Sequence, residues 1–193
     1  GTVKGHLFQQ NSMRDAIVAS TSLDIFHKYT KRLKMANIAQ IVNVLQSMIL
    51  TKDDKMVLTP TYYVFKQYNV HHDATYLPVD IECEETEMKG KNRHFDAKLP
   101  LVSATASKDK QGKVHVSLTN VSVDKAQTVK VNIEGISAKK AAGVILTTPN
   151  IDDLNTFENP DKVKEAPCKE VKVKNGVMEV KLPKNSIVTL ELM

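Results

Sequence analysis

Apolar positions in the first part of the chain fall at helical intervals. Ala16, Ala19, Leu23 and Phe26 recur at spacings of three, four and three, which predicts one apolar stripe facing inward. Ser12 stands three residues before Asp15, so a hydroxyl and a carboxylate are placed to satisfy the orphan N–H groups of a helix start. The helix should end near Tyr29, and Lys28, Lys31, Arg32 and Lys34 cluster where positive charge suits its negative C-terminal end. Residues 33–50 read two ways: Leu33 and Met35 alternate like a strand, whereas Ile38, Ile41, Val42, Leu45 and Ile49 keep helical spacing. Apolar runs at 48–51 and 56–59 flank the charged tetrad Lys52-Asp53-Asp54-Lys55 and predict a hairpin. Pro60 after Thr59 suits the first turn of a second helix, which would carry Tyr62, Tyr63, Phe65 and Tyr68.

Beyond Leu99 the period changes to two. Val114, Val116 and Leu118 alternate with His115, Ser117 and Thr119, and Val129, Val131 and Ile133 alternate with Lys130, Asn132 and Glu134. Asn175-Gly176 supplies the two positive-φ positions of a type I′ turn. A two-residue loop there pairs Val173 with Met178 and Val171 with Val180, four residues that share one face. A last strand points Val188, Leu190 and Leu192 inward. Short strands at this interval predict an antiparallel β-sandwich. The change of grammar falls at 71–78, where Pro78 disfavours a helix running through the residue before it.

Charge follows the same division. Residues 1–75 carry nine Lys/Arg and five Asp, a net of +4 with no Glu, against a total of +5 for all 193 residues. No aromatic-studded basic face or zinc-finger signature surrounds the Lys28–Lys34 cluster, so a solvated helix end is expected rather than a nucleic-acid site. No apolar run approaches the ~20 residues of a membrane span. The chain does not begin with Met and is expected to be a processed chain or a piece of a longer one; the compartment stays open. Cys83 and Cys168 allow one bridge or two free thiols.

Chemistry is sparse. No GxSxG, HExxH, CxxC or P-loop is present, so neither metal nor cofactor is expected. His71 and His72 would point to different sides of a strand or helix, and Glu82, Glu84, Glu85 and Glu87 read as a solvated edge rather than a catalytic pair. Asn120-Val121-Ser122 is a glycosylation sequon, a triplet common by chance. Asn37, Gln40, Asn43 and Gln46 interrupt an apolar run every third residue. Amides on a rigid scaffold suit polyhydroxylated ligands, and they equally suit buried backbone groups or water.

Four blocks carry a family resemblance. His6-Leu7-Phe8-Gln9-Gln10-Asn11-Ser12-Met13-Arg14-Asp15-Ala16 resembles a segment of the family 51 glycoside hydrolases, the α-L-arabinofuranosidases. Lys34-Met35-Ala36-Asn37-Ile38-Ala39-Gln40-Ile41-Val42-Asn43-Val44-Leu45-Gln46 is similar to a second. Leu58-Thr59-Pro60-Thr61-Tyr62-Tyr63-Val64-Phe65 and Asn155-Thr156-Phe157-Glu158-Asn159-Pro160 resemble two more, in the same order. The resemblance implies a mainly β chain: a jelly-roll-like antiparallel β-sandwich over 76–193, preceded over 1–75 by α/β elements from the end of a (β/α)8 barrel. The eighth barrel strand would lie near 33–39.

It further implies a retaining hydrolase with an acid/base and a nucleophile glutamate, both upstream of this chain. The chain alone is then expected to be inactive, and without the barrel the apolar stripe of 16–26 and the tyrosines of 60–68 would lack most of their partners, leading to exposed apolar surface, self-association or repacking against the sandwich. Gln40 is the one substrate-binding position the resemblance transfers, as an amide at the barrel mouth bonded to an arabinofuranose hydroxyl. Asn37, Asn43 and Gln46 are expected to serve the backbone or water. The implied partners are an arabinose-containing oligo- or polysaccharide and further copies of the same chain, with the sandwich supporting the barrel. A carbohydrate-binding β-sandwich module is the alternative. Such modules stack sugars on aromatic faces, and beyond residue 75 only Tyr76, Phe95 and Phe157 are aromatic.

Overall fold

Ser12 starts α1 (Met13–Lys28) as its spacing from Asp15 requires: its backbone N–H and its hydroxyl both donate to Asp15 Oδ2, at 2.8 and 3.1 Å. The structure, a computed structural model, describes residues 11–38, 41–89 and 96–193. The charged tetrad turns the hairpin of β1 (Ile49–Lys52) and β2 (Lys55–Leu58), with Ile49 opposite Leu58 and Lys52 opposite Lys55. Thr59, in extended conformation, then leads into α2 (Pro60–Tyr68) with Pro60 in its first turn.

The rest is antiparallel sheet. β3 (Thr75–Leu77), β4 (Glu85–Lys89), β5 (Asp96–Pro100), β6 (Val102–Lys108), β7 (Val114–Asn120), β8 (Gln127–Asn132) and β9 (Ala141–Thr147) follow. β10 (Ala166–Pro167), β11 (Val171–Lys174), β12 (Val177–Leu182) and β13 (Ser186–Leu192) complete the order. One sheet runs β10-β9-β13-β7-β6-β3 and a second β11-β12-β8, while β4 and β5 pair as a separate hairpin. The Asn-Gly turn has the expected register, Val173 on Met178 and Val171 on Val180, with Asn175 and Gly176 at φ of 52° and 77°.

The two sheets enclose one core. Val114, Val116 and Leu118 of β7 and Val188, Leu190 and Leu192 of β13 meet Met178, Val180 and Leu182 of β12. A second core lies on the other face of the larger sheet, where Met13, Ala16 and Ile17 of α1 and Tyr63, Val64 and Tyr68 of α2 pack on Leu146 and Ile187. Both faces of β7 and β13 are therefore covered, and alternate residues such as Ser117, Thr119 and Thr189 are buried although their pattern reads as solvent-facing.

Two expectations change. The inward side of α1 is Met13, Ala16, Ile17, Ser20 and Asp24, while Phe26 is 42% exposed. The helix lies on the hydroxyl-bearing face of the sheet, so its covered side includes the polar residues that bond there. Second, residues 33–38 form no strand, and Leu33 and Met35 are exposed. A parallel barrel strand exists through hydrogen bonds to neighbours on both sides, and among the described residues nothing pairs with this stretch. Of the outcomes expected for the tyrosines of 60–68, packing against the sandwich is seen for Tyr63 and Tyr68, which are buried against α1 and the larger sheet. Exposed apolar side chains do occur, as expected, on the outer side of α1 at Val18, Ile25, Phe26 and Tyr29.

The Asn120 sequon is structural. Asn120 is fully buried, and its Nδ2 donates to the carbonyls of Lys125, Leu182 and Pro183 at 2.9, 3.2 and 2.9 Å. Its Oδ1 accepts from Ser122 N at 3.0 Å. A glycan on that nitrogen would have no room in the folded protein. Asn120→Ala should cost about 2 kcal/mol in urea unfolding, because it strands several buried carbonyls; a loss below about half a kcal/mol would contradict this role.

Candidate functional site

The four blocks of the sequence converge on one polar cluster. From the first block, Asn11 Nδ2 donates to Ser47 O at 2.8 Å and Asn11 Oδ1 accepts from Thr61 Oγ1 at 2.7 Å. Asp15, also of that block, holds Ser12 with Oδ2 and accepts Gln46 Nε2, from the second block, on Oδ1 at 2.9 Å. Thr59 of the third block donates its hydroxyl to Ser47 O at 3.0 Å and its N–H to Met48 O at 3.0 Å. Asn155 of the fourth donates to Leu58 O and Val163 O, both at 2.8 Å, and accepts Val163 N at 2.7 Å. The segment at 151–154 closes the cluster from the sandwich side, since Ile151 O and Asp153 O accept the first N–H groups of α1, Arg14 N and Met13 N, at 2.9 Å each. Asn11, Ser47, Thr59, Thr61 and Asn155 are all buried and all bonded.

What this cluster grips is the loop 41–48. Asn43 and Gln46 hold φ of 54° and 60°, a left-handed conformation that non-glycine residues adopt rarely and Asn more readily than most. The Asn43 side chain bonds both the N–H and the hydroxyl of Thr51, at 2.7 and 2.8 Å. Asn43 therefore serves a backbone group, as expected, and Gln46 serves Asp15. Asn37 is exposed, and Gln40 lies outside the described residues.

The remaining candidates scatter. Glu82, Glu84, Glu85 and Glu87 are exposed around β4, with Glu85 3.8 Å from Lys98 Nζ. Lys28, Lys31, Arg32 and Lys34 are exposed at the end of α1, where Lys34 Nζ donates to Thr30 O at 2.7 Å. Cys83 and Cys168 are both free thiols. Tyr76 has its ring edge-on to His27 at 5.1 Å.

A second polar cluster, which sequence reasoning did not assemble, joins α1 and the turn after α2 to the larger sheet. Asp24 accepts Tyr68 Oη at 2.7 Å and Ser103 Oγ at 2.5 Å. His27 Nδ1 bonds Thr105 Oγ1 at 2.6 Å. His71 is buried with Nδ1 on Ser107 Oγ at 2.7 Å and Nε2 on Ser117 Oγ at 2.8 Å, hydroxyl partners rather than metal geometry. Burial pushes the Asp24 carboxyl up to about 7, against the pull of its Ser103 and Tyr68 bonds. Burial takes the His71 imidazole down to about 3, with His27 and His115 adding to the effect. Asp24 and His71 are both neutral near pH 6, and the cluster is a hydrogen-bonded seam whose chemistry is adhesion.

Two antiparallel sheets facing each other, with two helices seated on the outer face of the larger one, define a β-sandwich domain with a helical cover. Residues 2–186 match the family model of the α-L-arabinofuranosidase C-terminal domain, and the chain belongs to that family. Over 192 residues it is 63% identical to an intracellular exo-α-L-arabinofuranosidase of Bacteroides ovatus, covering 100% of this chain and 36% of that relative. It resembles the crystal structure of a GH51 arabinofuranosidase from Xanthomonas axonopodis pv. citri at 46% identity and a TM-score of 0.91, over 100% of this chain and 38% of the other. A thermostable GH51 α-L-arabinofuranosidase from Thermotoga petrophila RKU-1 superposes at 26% identity and a TM-score of 0.85, over 100% and 41%. The chain thus spans little more than a third of the length of these relatives.

Proposed function

We propose that this chain serves as the C-terminal part of a retaining exo-α-L-arabinofuranosidase, which releases terminal non-reducing α-L-arabinofuranosyl residues from arabinose-containing oligo- or polysaccharides. The observation that carries this reading is the convergence of the four family blocks on one buried cluster beneath the loop that follows Gln40. Residues 1–75 act as the closing elements of the catalytic barrel and residues 76–193 as the sandwich that buttresses it and contributes contacts between copies of the enzyme.

The two glutamates of the retaining reaction belong to the upstream part of the enzyme. In that mechanism they stand about 5–5.5 Å apart across the scissile bond, one protonating the leaving group while the other attacks the anomeric carbon. Gln40 supplies an amide to an arabinofuranose hydroxyl. Losing one neutral hydrogen bond to substrate lowers kcat/KM by roughly tenfold, so Gln40→Ala in the full-length enzyme should show a fall of that size on an aryl α-L-arabinofuranoside. The chain by itself should give no turnover; release of aryl alcohol by this chain alone would falsify the assignment. Deleting 76–193 should lower both thermal stability and assembly size in size-exclusion chromatography, and an unchanged elution and melting midpoint would remove the buttress role.

A further inference from the structure

We infer that residues 148–165, which hold the fourth family block, form a coupling strap with Asn155 as its node. The strap makes the helical layer (α1, α2 and the hairpin between them) and the sandwich unfold as one unit. The coupling is internal to this chain and holds whether or not Gln40 touches sugar. The segment runs from the end of β9 to the start of β10 with no helix or strand of its own. Loops longer than about 12–15 residues without such structure are uncommon in compact domains, and an ordered one needs a reason. This one is closed on itself. Asp153 is buried, accepts the Thr148 hydroxyl and Asn150 N on Oδ2, and meets Lys162 Nζ at 2.7 Å. Further along, the Asn155 side chain accepts Val163 N at 2.7 Å and donates to Val163 O at 2.8 Å, which cinches the neck of the loop.

From this closed loop the strap reaches every part of the helical layer. Met13 N and Arg14 N stand in the first turn of α1, where a helix has no internal acceptor for them. Asp153 O and Ile151 O accept both. Asn155 Nδ2 donates to Leu58 O at the end of β2, at 2.8 Å. Glu165 pairs with Lys66 of α2. Glu158, held below the ordinary carboxylate range by its own N–H and the Thr156 hydroxyl and then by Lys52 and Lys55, lies near the hairpin turn. The sheet grips the helices with less apolar surface. Of the buried apolar side chains in the helix-facing core, the sheet supplies Leu146 and Ile187 while the strap supplies Val163. The Asn155 side chain bonds the neck of the strap and the helical layer at once. Without it Leu58 O loses this donor, the neck loses two bonds, and the carbonyls over the start of α1 lose their frame.

The test follows urea unfolding of this 193-residue chain with two probes. Tyr62, Tyr63 and Tyr68 all lie on α2 and the chain has no Trp, so near-ultraviolet circular dichroism reports chiefly the helical layer. Pulsed alkylation of Cys83 and Cys168, both packed against the sandwich core, reports the sandwich. In the parent the two midpoints should coincide. In Asn155→Ala the tyrosine midpoint should fall about 1 M urea or more below the thiol midpoint. Asn155→Asp keeps the size of the side chain and the acceptor for Val163 N. It should separate the midpoints in the same sense, and it carries the test if the alanine variant fails to fold. Separate midpoints in the parent would show two layers that already unfold independently, and the coupling is overturned. Midpoints that fall together, or do not move, in whichever variant folds overturn it as well, because Asn155 then stabilises the whole chain evenly or not at all.

Discussion

Gly143→Ala is expected to destabilise the protein by at least about 3 kcal/mol. Gly143 sits in β9 opposite Leu190 of β13. A Cβ built on it would collide with the Thr189 carbonyl oxygen and lie 2.9 Å from Leu190 Cα, both backbone atoms. β13 cannot retreat to make room, because β7 pairs along its other edge over its whole length and the sandwich core and the helix-facing core press on its two faces. The Gly143 carbonyl also accepts Cys168 N at 2.9 Å, so β9 is held from the far side as well. Relief requires breaking ladder bonds in the middle of the larger sheet. Equilibrium urea unfolding should show a large fall in midpoint, and a variant within 1 kcal/mol of the parent would mean that β9 and β13 are free to part.

Asp24→Asn is expected to stabilise the protein at alkaline pH. The folded pKa of Asp24, about 7, lies above its ordinary value of 3.8. The folded state thus binds more protons than the unfolded state between these values, and stability falls as pH rises through that window. Asparagine removes the titration while keeping an oxygen for Tyr68 and an amide for Ser103. With about 1.4 kcal/mol per pKa unit, the stability gap between variant and parent should widen by about 2 to 4 kcal/mol from pH 4 to pH 8. His71 has the opposite sign. Its folded pKa, about 3, lies below the ordinary 6.5, so the folded state binds fewer protons there and stability falls as pH drops below 6.5. In the parent the Asp24 and His71 contributions oppose each other between about pH 4 and pH 6.5. Asp24→Asn uncovers the histidine slope and should lose stability on acidification across the same range. Parallel pH profiles for parent and variant would show that Asp24 is ionised in the seam.

Local chemistry was the most legible part of the molecule. The capping pair Ser12 and Asp15, the hairpin around Lys52–Lys55, Pro60 after Thr59, and the Asn175-Gly176 register all form as their spacing requires. These are events within a few residues, decided by hydrogen bonds and torsions the segment itself supplies. Gln46 shows where such reading stops. As one of four evenly spaced amides it looked no different from Asn37, and its role appears only because Asp15, 31 residues earlier, arrives beneath it. The left-handed Asn43 and Gln46 likewise turned an apolar run with helical spacing into an irregular loop.

The seam around Asp24 and His71 had a fainter signal. The hidden polar face of β6 and β7 is made of small hydroxyls, Ser103, Thr105, Ser107, Ser117 and Thr119, whereas the solvated face of β8 and β12 carries Lys130, Glu179 and Lys181. Small hydroxyls can be buried once each finds one partner, and charged side chains cannot be buried so cheaply. The chain by itself determined α1, the hairpin around Lys52–Lys55, α2 and the alternating strands, because those choices are local, and its four blocks determined the family. Only the tertiary structure decided which faces are covered and which distant side chains meet. Alternation says that a strand has two faces and leaves open what lies against the second; here two helices do, through hydroxyls, a carboxyl and an imidazole.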